Sequence, residues 1–285
     1  MRDDQPPARF LSACVQCDIR RGDVAGNLRS VEAHLRTAHA AGALLAVLPE
    51  MWTTSFAPAY PPELLEQARA AADRVLRLSG EFGMVIVGST VAEHDGRLFN
   101  VAHVCDRGRL AAEYRKIHLF SPNAEHKTLT AGSEPVVVDT SAGRLAVAIC
   151  YDLRFPELVR WFFHERAEVL VVPAQWPEAR ATHWRALVDA RAVENQLFVI
   201  GCNRTGSEPS LRGTDQLVFP GNSRVVDPMG DLLATGAGED GVVLAEIELR
   251  KATAMRRTMP IAKDRRPEIY RSLWERAWTQ PVRGD

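Results

Sequence analysis

Short aliphatic runs alternate with segments of helical periodicity along this chain, and this alternation limits the folds that it can adopt. Eight apolar runs predict strands, at residues 10–18, 44–48, 84–90, 169–172, 198–202, 223–226, 231–234 and 242–248. Four segments of helical character separate several of them, at residues 27–41, 62–80, 156–166 and 182–194. Hairpins around 97–115 and 136–149 add antiparallel pairs. The pattern therefore predicts an α/β fold in which helices cover a mixed sheet.

The chain is expected to form one domain. No internal repeat, low-complexity tract or linker divides its 285 residues, so a single domain covers 1–285. The last part, residues 250–285, carries ten basic and four acidic side chains and few apolar runs. Such a segment is typical of a solvated arm that packs on the body or on a second subunit. A site for a polyanion is the alternative interpretation of the same charges.

The charge balance and the cysteine content restrict the partners and the compartment. With 35 Lys and Arg residues against 36 Asp and Glu residues, the chain lacks the basic excess of a nucleic-acid-binding protein. No apolar run has the length of a membrane span, and the N-terminus lacks the apolar core of a signal peptide. Five cysteines, an odd number, fit a reducing compartment, so the cytoplasm is the expected location.

The histidines and cysteines do not predict a metal or redox centre. The eight histidines are scattered without the spacing of a metal motif. Cys14 and Cys17 are three positions apart on a predicted strand, so their side chains should point to opposite faces. We therefore expect neither a disulfide nor a shared metal between them.

Two reactive side chains follow predicted buried strands. Cys150 comes between an apolar run and a predicted helix, so its sulfur should project at a sheet edge, where a helix N-terminus lowers a thiol pKa. Glu50 follows Leu-Leu-Ala-Val-Leu-Pro, and burial there would raise its pKa toward the range of a general base. The plainer interpretations are a structural cysteine for Cys150 and a helix cap or salt bridge for Glu50.

Lys116 lies where the second strand of the 97–115 hairpin ends, among aromatic and aliphatic neighbours. If buried, it would be a fixed positive charge suited to an oxyanion, whereas a surface lysine would only cover apolar neighbours with its stem. Glu50, Lys116 and Cys150 thus each follow a predicted strand, which is where α/β folds place their sites. A cysteine–histidine hydrolase that pairs Cys150 with His118 or His183 is an alternative, but it leaves the other two residues without a role.

Three segments around these residues resemble the signatures of the nitrilase, or carbon–nitrogen hydrolase, superfamily: Leu-Pro-Glu50, Tyr-Arg-Lys116-Ile-His and Ile-Cys150-Tyr-Asp. Their spacing is also similar, with 66 residues from Glu50 to Lys116 and 34 from Lys116 to Cys150. The resemblance covers nearly the whole chain and extends to four further segments, at residues 13–16, 191–196, 221–228 and 264–268.

The resemblance implies a four-layer αββα sandwich in each subunit, usually extended across a subunit interface, so a homodimer or higher homo-oligomer is expected. It implies a triad in which Glu50 removes the Cys150 proton and the thiolate attacks an amide carbonyl. Lys116 and the backbone N–H of Tyr151 would hold the oxyanion, and the thioester on Cys150 would then be hydrolysed. The resemblance implies no metal or organic cofactor.

The resemblance also suggests roles for three more residues. Glu125 matches a second glutamate that the family keeps near the triad, where it positions substrate and the lysine. Arg154 matches a position that relatives use for a substrate carboxylate, although a salt bridge with Asp152 or Glu157 is the alternative. Trp176 would form a wall of the pocket, or else be simply a large core aromatic.

Within the superfamily the chain looks most like ω-amidases, which release ammonia from small carboxylate-bearing amides such as 2-oxoglutaramate and succinamate. Gln175 stands where close relatives often have Asn, and the stretch 207–217 looks longer than usual, so both could reshape the acyl pocket. Alternative substrates are a nitrile, an N-carbamoyl amino acid or deaminated glutathione, and Tyr151 directly after the nucleophile favours amides over nitriles. A non-catalytic binding protein on the same scaffold is a different class of function, which the intact triad disfavours.

Overall fold

The computed structural model describes residues 6–278 and contains fourteen strands and seven helices in that range. The strands are β1 (Arg9–Gln16), β2 (Ala43–Val47), β3 (Val85–His94), β4 (Arg97–Asp106), β5 (Arg109–Arg115), β6 (Val136–Thr140), β7 (Gly143–Val147), β8 (Val169–Ala174), β9 (Phe198–Asn203), β10 (Thr205–Pro209), β11 (Gln216–Pro220), β12 (Arg224–Val226), β13 (Leu232–Thr235) and β14 (Gly241–Glu248). The helices are α1 (Val24–Ala40), α2 (Pro62–Phe82), α3 (Pro156–His164), α4 (Ala181–Asn195), α5 (Arg250–Thr258), α6 (Ile261–Asp264) and α7 (Pro267–Trp278). None of these seven helices is both long and apolar enough to cross a bilayer.

Twelve of the strands form two six-stranded mixed sheets of similar design. The first sheet has the order β14–β1–β2–β3–β4–β5, with β1, β2 and β3 parallel and the outer neighbours antiparallel. The second has the order β13–β12–β9–β8–β7–β6, with β7, β8 and β9 parallel. The residue pattern predicted a mixed sheet; the chain forms two, as the family resemblance implied.

The two sheets pack face to face because their central strands are apolar on both faces. In β2 and the residue that follows it, Leu45 and Val47 join the cluster between the sheets, whereas Ala46 and Leu48 join a second cluster under α1 and α2. Helix α4 packs on β9 and β12 of the second sheet and contacts α3. The order of layers is therefore helices, sheet, sheet, helices, in agreement with the expected αββα sandwich within one chain.

Helix α2 illustrates how the sequence sets this packing. Its buried residues Ala71, Val75 and Leu78 recur at intervals of four and three, which places them on one face toward the first sheet. Pro62 occupies the first helical turn, where its missing N–H is not needed. Gly83 ends the helix in the left-handed conformation, with a φ of 64°, that glycine adopts without steric cost.

The predicted strands and helices are present, with ends that differ by a few residues, but two regions were not predicted. The β10–β11 hairpin was missed because β10 is polar and the apolar run of β11, Leu217–Phe219, is only three residues long. The expected arm from residue 250 is largely helical as far as it is described. Ala252 of α5 is buried, and the Gln196 side chain donates a hydrogen bond to the Met259 carbonyl at 2.7 Å, so this segment contacts the body.

The cysteines of the first strand point to opposite sides of the sheet, as predicted. Cys14 lies in the cluster between the sheets, and Cys17 lies in the cluster under α1 and α2. All five cysteines of the chain are buried and unpaired.

Candidate active site

Four side chains from separate parts of the chain meet where β2, β5 and β7 end. Glu50, Lys116 and Cys150 follow these three strands, and Glu125 comes from a short 3-10 turn further along the chain. The Lys116 ammonium lies between the two carboxylates, with Nζ 2.7 Å from Glu50 Oε1 and 2.8 Å from Glu125 Oε2. The Cys150 thiol donates a weak hydrogen bond to the Gln175 carbonyl oxygen at 3.8 Å, and the Glu50 carboxylate lies close enough for its charge to raise the thiol pKa. The fold therefore brings together the three predicted triad residues and the second glutamate.

Glu50 is fixed by donors on both of its carboxylate oxygens. Besides Lys116, Oε1 accepts a hydrogen bond from Asn100 Nδ2 at 2.9 Å, and Oε2 accepts one from the Gln175 backbone N–H at 3.1 Å. The Gln175 side chain also donates Nε2–H to the Glu50 carbonyl at 2.8 Å. The carboxylate is thus held in one orientation by hydrogen bonds that favour its charged form.

Burial and mutual charge set the protonation of this cluster. Burial raises the pKa of Glu50; the Lys116 charge opposes this increase, and the Glu125 charge adds to it. Burial alone would lower the pKa of Lys116, but the carboxylates of Glu125 and Glu50 outweigh it and raise that pKa. The raised pKa expected for Glu50 is confirmed in direction. The site therefore holds a carboxylate that accepts a proton more readily than an exposed glutamate, next to a permanent ammonium.

Cys150 begins a 3-10 turn (Cys150–Arg154) and adopts a φ of 46°, a left-handed conformation that is uncommon outside glycine. The expectation that a helix N-terminus lowers its pKa is wrong, because burial and the Glu50 charge raise the thiol pKa well above its usual value. A single turn has a weak dipole, whereas lost hydration and an adjacent carboxylate act directly on the sulfur. The resting side chain is a thiol, and it needs a base to become a nucleophile.

Asp152 links the turn that carries Cys150 to the loop that carries Lys116. Its buried carboxylate accepts hydrogen bonds from the Tyr114 hydroxyl at 2.7 Å, the Ile149 N–H at 2.9 Å and the His118 N–H at 3.0 Å. The His118 ring also contacts it, with Nδ1 at 2.8 Å. His118 is thus hydrogen-bonded to Asp152 and does not line the cavity above the cysteine. The structure therefore does not support a cysteine–histidine hydrolase that uses this residue.

A cavity of about 210 Å³ opens above Cys150. Every site residue singled out from the sequence lines it: Glu50, Lys116, Glu125, Cys150, Tyr151, Arg154 and Trp176. The cavity is also lined by residues that the sequence analysis did not single out: Phe56, Phe120, Pro122, Asn123, Pro177, Arg180 and Phe219. Gln175, Glu208, Ser210 and Leu217 complete the lining; the sequence analysis named Gln175 and the stretch 207–217 as features that could reshape the acyl pocket.

The β10–β11 hairpin is joined to the floor of the cavity by a fully buried arginine. Arg204 Nη1 lies 3.2 Å from Glu208 Oε2 and 3.1 Å from Gln175 Oε1, and its Nη2 lies 2.8 Å from Asp18 Oδ1. The Ser55 hydroxyl donates to the same Glu208 carboxylate at 2.9 Å. Glu208 is therefore neutralised within the wall, and the hairpin is coupled to Gln175, the residue that holds Glu50.

Arg154 lies over Trp176, with its Cζ 4.8 Å from the ring centroid, and its Nη2 donates to His183 Nδ1 at 3.2 Å. Among residues 6–278 it forms no ion pair with Asp152 or Glu157, so the salt-bridge interpretation is not supported. Trp176 is itself fixed, because its backbone N–H donates to Asn203 Oδ1 at 2.6 Å and its Nε1 donates to the Arg180 carbonyl at 2.8 Å.

No cluster of three or more potential metal ligands occurs within the described part of the chain. In the cavity, the Lys116 ammonium occupies the position between the two carboxylates that a cation would need. The arrangement provides instead a thiol, a base within reach of it, and a positive charge beside both.

Comparison with known proteins places these features in a family. Residues 11–257 match the carbon–nitrogen hydrolase family model. The chain is 36% identical over 265 residues to the 2-oxoglutaramate amidase of Bacillus subtilis (strain 168), covering 92% of this chain and all of that protein. It is 31% identical to human omega-amidase NIT2, covering 83% of this chain and 88% of that protein. The crystal structure of an amidase from Nesterenkonia sp. superimposes with a TM-score of 0.80 at 27% identity, covering 96% of this chain and 98% of that one.

These matches agree with one another in extent and in kind. The family model spans most of the chain, and the two curated relatives align over most of their own length. The solved amidase shares the fold over almost the entire chain. The chain therefore belongs to the carbon–nitrogen hydrolase (nitrilase) superfamily and is an amidase-family enzyme.

Proposed function

We propose that this enzyme hydrolyses the terminal amide of a small carboxylate-bearing amide, of the 2-oxoglutaramate or succinamate type, to the acid and ammonia. The observation that carries the proposal is the cavity that has Cys150, Glu50 and Lys116 at its base and the Arg154 guanidinium in its wall. A guanidinium offers two parallel N–H groups to a carboxylate, whereas the base of the cavity suits an amide. The activities named for the Bacillus and human relatives support the same substrate class.

In the first half of the proposed reaction, Glu50 accepts the Cys150 proton and the thiolate attacks the amide carbon. The oxyanion is held by the Lys116 ammonium and by the N–H of Tyr151, which lies in the first turn after Cys150, where helical amides lack an intrahelical partner. The protonated Glu50 gives its proton to the leaving nitrogen, the C–N bond breaks, and ammonia departs. A thioester on Cys150 remains.

In the second half, Glu50 takes a proton from water as the hydroxyl oxygen attacks the thioester. The C–S bond breaks, the acid leaves, and Glu50 returns the proton to the Cys150 sulfur. Glu125 positions Lys116 throughout, since it accepts from the ammonium and from the Phe120 N–H at 2.7 Å. Every step uses side chains that line one cavity, so little rearrangement is needed.

The proposal extends to the domain organisation, the oligomeric state and the cellular compartment of the protein. The chain acts as one carbon–nitrogen hydrolase domain whose arm from residue 250 packs on the body or on a second subunit. Two copies pair through the helical side of the second sheet, where Trp161 of α3 and Leu273 of α7 are 37% and 50% exposed. Five unpaired cysteines support a reducing compartment, the cytoplasm.

The proposal is tested by ammonia release from 2-oxoglutaramate, succinamate, a neutral short amide, a nitrile and deaminated glutathione. We expect Cys150-dependent release from the two carboxylate-bearing monoamides, and no turnover by Cys150→Ala, which removes the nucleophile but little volume. Activity confined to another substrate of the panel would contradict the proposed substrate class. Retention of more than a few per cent of activity by Cys150→Ala would contradict the covalent mechanism.

The role of Arg154 is tested by the substitution Arg154→Gln. We expect KM to increase about tenfold or more for the carboxylate-bearing amides, with less than about twofold change for a neutral amide, because only the former lose a charged partner. An equal loss on both classes of substrate would show that Arg154 supports the site as a whole.

A further inference from the structure

Two guanidinium groups in the cavity wall, those of Arg154 and Arg180, have no acidic partner among the described residues. The carboxylates of the cavity are otherwise engaged: Glu50 and Glu125 bind Lys116, and Glu208 lies within 3.3 Å of both Arg204 and Arg21. Among residues 6–278, no carboxylate lies within ion-pair distance of Arg154 or Arg180. Within residues 6–278, the cavity therefore presents two positive charges without an acidic partner. Both line the same small cavity as the reactive sulfur.

One aromatic residue, Trp176, contacts both the backbone of Arg180 and the guanidinium of Arg154. Arg180 ends the 3-10 turn that precedes α4, is half-buried, and accepts the Trp176 indole N–H on its carbonyl at 2.8 Å. The guanidinium of Arg154 lies on the ring of that same indole. The Arg180 guanidinium lies 5.7 Å from the centroid of Phe120, another wall residue. Each of the two cations thus lies over an aromatic side chain that lines the cavity.

The two guanidinium groups are incompletely stabilised in the cavity wall when no anion is bound. A half-buried guanidinium loses part of its hydration, and an aromatic face returns only part of that loss. A bound anion would supply the remainder through charge-assisted hydrogen bonds. Two such cations together suit a ligand that carries more acceptor oxygens than a single carboxylate.

We propose that Arg180 is a specificity residue that, together with Arg154, selects amides of 2-oxo acids over amides of simple or 2-amino acids. The inference rests on the proposed function, in which Arg154 binds the substrate carboxylate. A 2-oxo acid has a ketone oxygen next to that carboxylate, so its three oxygens can accept from two guanidinium groups. In a 2-amino acid the same carbon carries an ammonium, which two neighbouring positive charges repel.

Three substrates of equal chain length separate these effects. 2-Oxoglutaramate, glutaramate and L-glutamine share the terminal amide and the carboxylate, and they differ only in a ketone, a methylene or an ammonium-bearing carbon at position 2. We expect Arg180→Gln to lower kcat/KM for 2-oxoglutaramate about tenfold or more, and that for glutaramate less than about threefold, since one charged hydrogen bond is lost only in the first case. The kcat/KM for L-glutamine, relative to 2-oxoglutaramate, should increase.

A matched control and a second variant keep the outcome interpretable. Arg185 of α4 is an exposed arginine that does not line the cavity, so Arg185→Gln should leave the substrate ratios unchanged. If Arg180→Gln does not fold, Arg180→Lys retains the charge but not the planar fork, and it should lower the preference for the ketone while still excluding L-glutamine. Equal factors on all three substrates, or no effect, would overturn the assignment of Arg180.

A binding measurement distinguishes failure of this inference from failure of the proposed function. In Cys150→Ala, calorimetric titration with 2-oxoglutarate and with glutarate reports the same preference without turnover. We expect tighter binding of 2-oxoglutarate, lost on adding Arg180→Gln. If the wild-type enzyme releases no ammonia from 2-oxoglutaramate, the proposed function fails, but the titration still decides the role of Arg180.

Discussion

At the scale of single residues, the buried cluster of two carboxylates and one ammonium determines how the thiol can be activated. Ionised Cys150 beside ionised Glu50 and Glu125 would place three negative charges around the single positive charge of Lys116. Transfer of the thiol proton to Glu50 avoids this, because it moves one negative charge from oxygen to sulfur without adding another. The raised pKa values of both Glu50 and Cys150 are therefore compatible with catalysis.

Asn100 is expected to set the pH range over which Glu50 acts as a base. Its Nδ2 donates to Glu50 Oε1 at 2.9 Å and lies 3.3 Å from Glu125 Oε1, so it stabilises the charged form of Glu50. Because Glu50 must be ionised to accept a proton, activity is lost as the pH falls through its pKa, which burial raises. Asn100→Leu removes a donor to the charged form, raises that pKa further, and should move the acidic limb of kcat/KM to higher pH.

The full pH profile of kcat/KM distinguishes this role from a packing defect. Asn195 of α4 is an equally buried amide that lies outside the cavity, and Asn195→Leu is the matched control. A lower kcat/KM at every pH with an unmoved acidic limb in Asn100→Leu would contradict the assignment.

At the scale of elements, the loop after β5 and the turn after β7 hold the lysine and the nucleophile, and a single buried carboxylate connects them. Asp152 accepts from donors on both sides, and burial together with its charge keeps the pKa of Tyr114 well above its usual value, so that the phenol remains a donor. The distance between Cys150 and Lys116 therefore depends on one side chain that touches neither reacting atom.

Asp152→Asn should destabilise the fold and reduce activity together. The amide retains the shape but offers one acceptor oxygen to several donors, so we expect the free energy of unfolding in urea to fall by about 2–4 kcal/mol. Asp139→Asn is the control: Asp139 pairs with Arg144 on the surface, where the expected change is below about 0.5 kcal/mol. Wild-type stability in Asp152→Asn would show that the link does not hold the two segments together.

At the scale of the whole molecule, the outer helices leave apolar side chains uncovered. Trp161 of α3, Val193 of α4 and Leu273 of α7 are between 37% and 50% exposed. Burial lowers the pKa of Arg160 of α3, and the charges of Arg265 and Tyr270 also act on it, so the start of α7 lies in the neighbourhood of α3. Uncovered apolar surface on neighbouring helices is typical of an interface.

Disruption of this surface should convert a dimer into monomers. We expect the wild-type protein to have twice the 31.6 kDa mass of one chain by light scattering, and Trp161→Glu or Leu273→Glu to shift it to the single-chain value. Leu110→Glu introduces the same charge at an exposed leucine of β5 and should leave the mass unchanged. A monomeric wild-type protein, or a control that dissociates equally, would contradict the proposed interface.

The sequence by itself determined the elements and the origin of the reactive side chains. Apolar periodicity identifies which segments are strands or helices and which faces they bury, as in β2, because this information is local. Glu50, Lys116 and Cys150 could be singled out because each follows such a run, and the signature segments around them point to one family. The β10–β11 hairpin could not be predicted, because β10 is polar and the apolar run of β11 is short.

Only the tertiary structure decided what lies next to what, since contacts between distant residues depend on strand order and layer packing. Asn100 and Asp152 have no distinguishing local pattern, yet one bridges two carboxylates and the other joins two loops. Arg180 became a candidate only when its turn was found on the cavity wall beside Trp176. The pKa of Cys150 was wrongly predicted for the same reason: its helical turn could be read locally, but the burial and the Glu50 charge that dominate it come from residues distant in sequence.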